Sequence, residues 1–337
     1  MRAWQFDAFS IDRLSLVEVE DRPLASREIR VRVRAVSLNY RDLLIIQGAY
    51  DPKLPLPLIP CSDAAGEVVE VGREVQKWKV GDRVITAFSQ KWVAGAPSYA
   101  KVRATLGGPL PGVLSEYAVV DEEGAWPCPS HLSFEEGATL PCAALTAWHA
   151  LVDRGALKAG ERVLIQGSGG VSIFALQIAR LFGAEVYAIT RTESKIDRFR
   201  AMGVKEVIHS VAEPEWGRTI RRITGNIGVE HVVEVGGAKT LAQSLQAVAF
   251  GGTIHVIGVL SGVVEPLNIL PILMKEVRLS GVLVGPRESA EAMGRAFEVA
   301  RIHPVIDRVY PFEQAKDAFL HLQSGSHFGK VVVAGLP

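Results

Sequence analysis

A cluster of glycines joins an apolar run to a helix-like pattern in the middle of the chain. Gly167, Gly169 and Gly170 leave no Cβ where the backbone must turn, so a diphosphate can approach the amides at the start of the following helix. The order departs from the standard dinucleotide fingerprint, because Ser172 stands at the position of its third glycine. A plain turn from strand to helix is the alternative for such a cluster. A second apolar run, 185–190, follows at the spacing of a βαβ unit, which favours nucleotide binding by Gly167, Ser168, Gly169, Gly170 and Val171.

The end of that second run carries residues that bear on the choice of cofactor. An enzyme that uses NAD usually places a carboxylate there against the ribose 2′-hydroxyl. Thr190 takes that position, while Arg191 and Lys195 can each offer positive charge to a 2′-phosphate. Two alternatives remain, since Glu193 could reach the ribose and the two cations could be solvated charges on a surface turn. The segment favours NADPH over NADH.

The elements that hold these residues differ along the chain. Before about residue 124, apolar and polar side chains alternate between frequent turn residues, most clearly over 29–35. Further strands are expected at 66–71, 83–86 and 117–120, a short helix in 39–50, and a surface loop in the Gly-, Ala- and Pro-rich segment 92–111. Short strands with tight turns predict a small β-barrel.

From about residue 134 the pattern changes to apolar strands that alternate with helices. Strands are expected at 163–166, 185–190, 228–235, 253–258 and 277–284, with helices at 195–202, 216–224 and 239–249. Strands buried on both faces and separated by helices predict a doubly wound parallel sheet. Such a sheet does not require the helices and strands after about 290, so these are expected to return to the first domain. The predicted division is 1–124 with 290–337 for the first domain, and 125–289 for the nucleotide-binding domain.

Composition narrows the class of protein. The 337 residues are 48% hydrophobic, enough for more than one buried core. Lys+Arg and Asp+Glu both number 37, so nothing in the charge balance points to nucleic acid or to an anionic membrane surface. The three cysteines are widely scattered, which suits a reducing compartment, and no apolar run reaches the length of about 18 residues that spans a bilayer. We expect a cytoplasmic protein that acts on small molecules.

Several stretches, taken in order, resemble the medium-chain dehydrogenase/reductase superfamily, and most of all its zinc-free, quinone-oxidoreductase-like branch. The resemblance runs nearly from end to end. It is carried by Asn39–Asp42, Ile46–Tyr50, Asp63–Gly72, Gly81–Val84, Leu140–Trp148, the turn at Gly167, Val233–Gly237 and Phe328–Val333. It implies an α/β protein with a GroES-like β-barrel catalytic domain and a Rossmann nucleotide-binding domain.

The resemblance also assigns roles to individual residues. In the polar stretch that it places beside the nicotinamide, Tyr50 is the first candidate to donate a proton or hydrogen bond, and Asn39 and Tyr40 are next. Asp42 is expected to be a structural cap or an orienting group. The alternative for Tyr50 is a ring that anchors the proline-rich loop after it. Further contacts to the cofactor are implied for Thr146, Gly236, Ile257, Gly258, Val259, Leu283, Val284, Phe328 and Lys330.

The zinc enzymes that the chain resembles hold their catalytic metal with a Cys, a Gly-His-Glu motif and a second Cys. The corresponding positions here are Asn39, the triplet Cys61-Ser62-Asp63, and Cys142, so only the last position keeps its ligand type. One thiolate cannot build the three-ligand open site that catalytic zinc needs. A site made by Cys61, Asp63 and Cys142 is the alternative, and the eight histidines form no ligand-spaced pair. No metal is therefore expected.

These observations predict a zinc-independent reductase that transfers hydride from NADPH to a quinone or to an α,β-unsaturated carbonyl compound. Two alternatives are a zinc-dependent alcohol dehydrogenase-like enzyme and a non-enzymatic structural protein that binds NADPH. The resemblance also implies a homodimer joined through the strand at 277–284, although a buried core strand would show the same apolar pattern.

Overall fold

The computed structural model describes residues 1–336, so Pro337, the last residue of the predicted first domain, lies outside the described residues. The strands are β1 (Arg2–Phe6), β2 (Leu14–Glu18), β3 (Glu28–Ser37), β4 (Asp63–Val71), β5 (Arg83–Thr86), β6 (Tyr117–Asp121), β7 (Ala125–Pro127), β8 (Arg162–Gln166), β9 (Glu185–Thr190), β10 (Glu206–His209), β11 (Val229–Glu234), β12 (Val248–Val256), β13 (Arg278–Gly281), β14 (Ile306–Pro311) and β15 (Lys330–Ala334). The helices are α1 (Tyr40–Ile46), α2 (Tyr99–Arg103), α3 (Phe134–Ala138), α4 (Leu145–Trp148), α5 (Gly170–Leu181), α6 (Ile196–Ala201), α7 (Trp216–Ile223), α8 (Ala238–Ala247), α9 (Leu270–Met274), α10 (Arg287–Ala300) and α11 (Ala315–Ser324). Wider π-type turns flank α4 at Leu140–Ala144 and His149–Arg154.

The chain divides into two compact units. Unit 2 comprises Thr146–Val284, and unit 1 comprises Met1–Leu145 together with the chain after Val284. The first boundary therefore falls after Leu145 and not after residue 124 as predicted, because β7 pairs with β5 and α3 packs on β3 and β4. The change from strands to helices in the sequence does not mark the boundary, since α3 still belongs to the core of unit 1.

Unit 1 is built on a mixed sheet in the order β14-β15-β3-β4-β5-β7, with β6 also paired to β3. The alternation predicted over 29–35 is present in β3, where Ile29, Val31 and Val33 are fully buried. The arginines between them face outward, and Arg30 pairs with Glu70 at 2.8 Å. The C-terminal strand β15 pairs antiparallel with β3, which returns the end of the chain to this unit.

The segment 92–111 matches the predicted surface loop only in part, because most of 93–103 is exposed and 104–108 are buried. It contains the short helix α2, and Trp92, Thr105 and Leu106 are buried. Polar contacts explain the burial, because the Arg41 guanidinium donates hydrogen bonds to the Leu106 carbonyl at 3.1 Å and to Thr105 Oγ1 at 2.9 Å. Composition did not reveal these contacts, since Arg41 lies far away in sequence.

Unit 2 contains a six-stranded parallel sheet in the order β10-β9-β8-β11-β12-β13. The prediction of a doubly wound parallel sheet is confirmed. The strand order reverses between β8 and β11, and the carboxyl ends of these strands form the switch point at which such sheets bind ligands. The sequence analysis missed β10, and β12 begins five residues earlier than its predicted start at 253, at Val248. Among the described residues, no helix is long and apolar enough to cross a membrane.

Candidate functional site

The glycine turn between β8 and α5 leaves its backbone open. Gly167 has a φ of +69°, and its N–H donates to the Ile189 carbonyl at 2.8 Å, which fixes the turn against β9. A Cβ built at Gly167 or Gly169 would meet no atom within 4 Å. Ser172 Oγ donates to the Gln166 carbonyl at 2.6 Å, so this serine ties the first turn of α5 to the end of β8. The backbone is thus exposed where a diphosphate would approach a helix N-terminus.

The residues at the end of β9 have different surroundings. Thr190 is buried and its Oγ1 accepts a hydrogen bond from the Thr192 N–H at 3.1 Å. Lys195 is also buried, and its Nζ donates to Ser168 Oγ at 2.9 Å, which joins the two segments that the sequence predicted to bind cofactor. Arg191 and Glu193 are exposed. Arg191 is therefore the cation at this strand end that is open to solvent.

The turns after β11 and β12 are packed closely together. The backbone N–H groups of Ile257 and Gly258 donate to the Glu234 carbonyl at 2.9 and 3.2 Å. A Cβ at Gly258 would lie 2.3 Å from the Val235 carbonyl oxygen, so no larger residue fits. Thr146 is buried in α4, while Val259 and Leu283 are about half exposed. The sequence analysis did not single out Glu234 as a residue that holds these turns. The signal was visible, because this carboxylate ends an apolar strand and directly precedes Val-Gly-Gly.

In unit 1, Asn39 is the centre of a buried polar network. Its backbone N–H donates to Asp42 Oδ2 at 2.8 Å, so Asn39 is the N-cap of α1 and Asp42 is its partner in a capping box, in agreement with the structural role predicted for Asp42. The Lys330 Nζ donates to Asn39 Oδ1 at 2.6 Å and to the Leu38 carbonyl at 2.7 Å. Because an ammonium only donates, it fixes the orientation of the amide. Asn39 Nδ2 lies near Asp63 without a hydrogen bond of ordinary length.

Burial dominates the electrostatics of this network. It raises the pKa of Asp42 to about 7, against the opposing effect of the Arg41 guanidinium. Burial likewise raises the pKa of Asp63, and the Lys330 ammonium opposes that change. The pKa values of the Cys61 and Cys142 thiols are raised by burial and by the nearby carboxyl groups. Burial therefore favours the neutral thiols over thiolates in this network.

The donor set does not fit catalytic zinc. Asp63 Oδ1 accepts from Ser62 Oγ at 2.6 Å, and its Oδ2 accepts from the Cys142 N–H at 3.0 Å. Asn39 presents its oxygen to an ammonium. No group of three or more His, Cys, Asp or Glu side chains is placed to hold a metal ion anywhere in 1–336. The charges that balance the two buried carboxyl groups come from Arg41 and Lys330 of the chain itself.

The tyrosines lie at the edge of this network. Tyr40 and Tyr50 are about half exposed. The Arg41 guanidinium carbon lies 5.1 Å from the centre of the Tyr50 ring, within the range of a cation–π contact. Phe328 and Lys330, which the resemblance placed at the cofactor, are buried within unit 1. The structure thus brings Asn39 together with Lys330, and Tyr50 together with Arg41.

Comparison with known proteins gives consistent matches. Residues 25–130 match the family model described as alcohol dehydrogenase GroES-like domain, and residues 170–298 match the model described as zinc-binding dehydrogenase. The chain is 38% identical to a zinc-type alcohol dehydrogenase-like protein of Schizosaccharomyces pombe, with 91% of this chain and 90% of that protein covered. It is 28% identical to quinone oxidoreductase-like protein 2 of Mus musculus, with 95% and 89% covered. Its fold is similar to that of the 2-octenoyl-CoA carboxylase reductase CinF in complex with NADP and 2-octenoyl-CoA, with a TM-score of 0.88, 27% identity, and 99% and 87% of the chains covered.

Proposed function

The chain belongs to the medium-chain dehydrogenase/reductase superfamily, and we propose that it is a zinc-independent, NADPH-dependent reductase of quinones or α,β-unsaturated carbonyl compounds. Its membership makes it an oxidoreductase with a nicotinamide cofactor. The single observation that carries the proposal is the contact between Asn39 and Lys330. This contact puts an amide and an ammonium at the position where the zinc enzymes of the superfamily carry a cysteine ligand.

NADPH supplies the hydride when it is bound. The open backbone at Gly167 and Gly169 suits the diphosphate, because the amides at the start of α5 are donors without helical partners. For the 2′-phosphate, exposed Arg191 offers a guanidinium, and Lys195 extends a charge beside Ser168. The similar CinF structure contains NADP. Together these points favour NADPH over NADH.

Hydrogen-bond donors on side chains of unit 1 take the place of a metal ion. Negative charge develops on the acceptor oxygen as hydride arrives, and a hydrogen-bond donor placed there stabilises it by about 3 kcal/mol. The Tyr50 hydroxyl and the Asn39 NH2 group are the proposed donors, and Lys330 fixes the orientation of the amide by donating to its oxygen. Tyr40 is a further candidate because it is also half exposed.

The choice of acceptor is supported by the relatives. A quinone acceptor agrees with the mouse quinone oxidoreductase-like protein, and an enoyl thioester agrees with the reductase that was solved with 2-octenoyl-CoA. An alcohol dehydrogenase activity is the second candidate, because the similar fission-yeast protein carries that name. The lack of a zinc-ligand set among residues 1–336 opposes a zinc-dependent version of it.

We also propose that the protein acts in the cytoplasm on small molecules. Its three cysteines are free, and none of them is fully exposed, which agrees with a reducing compartment.

The decisive experiment follows the absorbance of NADPH, and in parallel of NADH, during turnover of quinones, 2-enals and simple alcohols with and without a zinc chelator. We expect oxidation of NADPH by a quinone or an enal, unchanged by the chelator. On the enal, Tyr50→Phe should reduce the turnover number by about a hundredfold, the cost of one lost oxyanion donor, without changing the affinity for NADPH. Quinone reduction should suffer less, because water can protonate the hydroquinone oxygens.

Two results would contradict the proposal. Turnover of alcohols alone, lost in chelator, would assign a zinc-dependent alcohol dehydrogenase. Cofactor binding without turnover of any acceptor would assign a binding protein. If Tyr50→Phe is fully active while Asn39→Ala is not, the donor is Asn39 and Tyr50 only packs against Arg41.

A further inference from the structure

Glu234, the last residue of β11, is a carboxylate with no exposed surface and five hydrogen-bond donors. Its Oε1 accepts from the N–H groups of Gly236 and Gly237 at 2.8 and 2.9 Å and from Thr240 Oγ1 at 2.6 Å. Its Oε2 accepts from Gln166 Nε2 at 2.7 Å and from Ser244 Oγ. None of these five donors carries a charge. Burying an ion is costly unless its lone pairs are satisfied, and here both oxygens are saturated.

The five donors belong to three different segments. Gln166 ends β8, Gly236 and Gly237 form the turn after β11, and Thr240 and Ser244 lie on one face of α8. The Gly236 N–H is also 3.2 Å from Gln166 Oε1, so the amide and the carboxylate hold that turn together. The backbone carbonyl of Glu234 accepts hydrogen bonds from the N–H groups of Ile257 and Gly258 in the turn after β12. A single residue therefore joins the carboxyl ends of β8, β11 and β12.

We propose that Glu234 is a positioning residue for the nicotinamide cofactor, which it serves by holding the turns at 236–237 and 257–259 in their binding geometry. This inference rests on the proposed function in one respect, which is that those two turns contact the cofactor. A glutamine at this position would turn an NH2 group toward groups that themselves donate. At least one donor would lose its acceptor, and the Gly236–Gly237 turn would move away from it. The carboxylate acts through these backbone groups and does not itself touch the cofactor.

The test compares Glu234→Gln with Glu230→Gln, a matched control on the same strand. Glu230 pairs with Arg162 at 2.6 Å at the opposite end of β11, so both variants remove one carboxylate from the same strand. The dissociation constant for NADPH is measured by fluorescence titration well below the unfolding temperature, and unfolding is followed separately. We expect the constant to rise about tenfold or more in Glu234→Gln and to stay unchanged in Glu230→Gln. Amide hydrogen exchange at Gly236 and Gly237 should accelerate only in Glu234→Gln.

If Glu234→Gln does not fold, a second pair of variants tests the same inference. Thr240→Val removes one donor to Oε1 and preserves the side-chain shape, while Thr240→Ser restores the hydroxyl. Weaker NADPH binding in the first and recovery in the second support the inference. Unchanged binding by Glu234→Gln or Thr240→Val, with only a lower unfolding temperature, overturns it and makes the carboxylate a stabilising group alone. A wild-type protein that binds cofactor but reduces no acceptor would refute the proposed function and leave this inference standing, whereas a wild type that binds no nicotinamide cofactor refutes both.

Discussion

At the scale of single residues, Asp42 shows how burial changes the protonation of a capping-box carboxyl group. Its carboxyl group accepts the Asn39 N–H and has no exposed surface. Burial raises its pKa to about 7, well above the ordinary value near 3.8 that it regains on unfolding. Between these values the folded state binds a proton that the unfolded state has lost. Unfolding free energy therefore falls as pH rises through this window.

We predict that Asp42→Asn removes this part of the pH dependence, because asparagine keeps an acceptor for the Asn39 N–H and cannot ionise. Relative to the variant, the wild type should lose up to about 4 kcal/mol of unfolding free energy between about pH 4 and about pH 7. Urea denaturation of both proteins across that range measures the difference. Parallel curves for the two proteins would show that Asp42 ionises normally in the folded state.

At the scale of elements, the turn between β8 and α5 contains a glycine that is needed for cofactor binding and not for folding. Gly169 has a φ of −73°, which any residue adopts, and its Cβ would meet nothing within 4 Å. Gly160 has equal space but a φ of +82°, which disfavours a side chain.

We predict that Gly169→Ala keeps the unfolding temperature of the wild type but raises the dissociation constant for NADPH by about tenfold or more, because the new methyl group occupies space left for the diphosphate. Gly160→Ala should do the reverse, with a loss of about 1 kcal/mol of stability and unchanged binding. Calorimetry and cofactor titration of both variants test this. Equal binding by Gly169→Ala and wild type would move the diphosphate away from this turn.

Local patterns in the sequence predicted the elements better than the contacts between them. The alternation in β3 and the glycine turn before α5 depend on neighbouring residues, and both are present in the structure. The contact between Asn39 and Lys330 joins residues 291 positions apart, and the donors to Glu234 come from three segments. No period in the sequence encodes such contacts. Burial of Thr105 and Leu106 escaped prediction for the same reason, since it depends on Arg41.

At the scale of the whole molecule, exposed apolar side chains are concentrated near the end of unit 2. Helix α9 has the sequence Leu-Pro-Ile-Leu-Met and contains no buried residue. Strand β13 is the last strand of its sheet, so one side of its backbone has no neighbouring strand. The exposed side chains of this surface are Leu260, Val263, Val264, Ile269, Leu270, Leu273, Met274, Leu279 and Leu283. Exposed apolar side chains beside an unpaired strand edge are typical of an interface with another protein.

We propose that a second copy of the chain covers this surface, with β13 of each copy placed edge to edge so that the two six-stranded sheets become continuous. A two-fold arrangement would satisfy the open edges and bury both apolar surfaces at once, since each copy offers the same groups to the other.

Leu279→Asp places a charge on β13, where it would be desolvated in the dimer and harmless in the monomer. We expect the wild type to sediment as a dimer and Leu279→Asp as a folded monomer in analytical ultracentrifugation. Val299→Asp, at an 88% exposed position on α10 in unit 1, is the matched control and should remain dimeric. A monomeric wild type, or a Leu279→Asp variant that stays dimeric, would refute this interface.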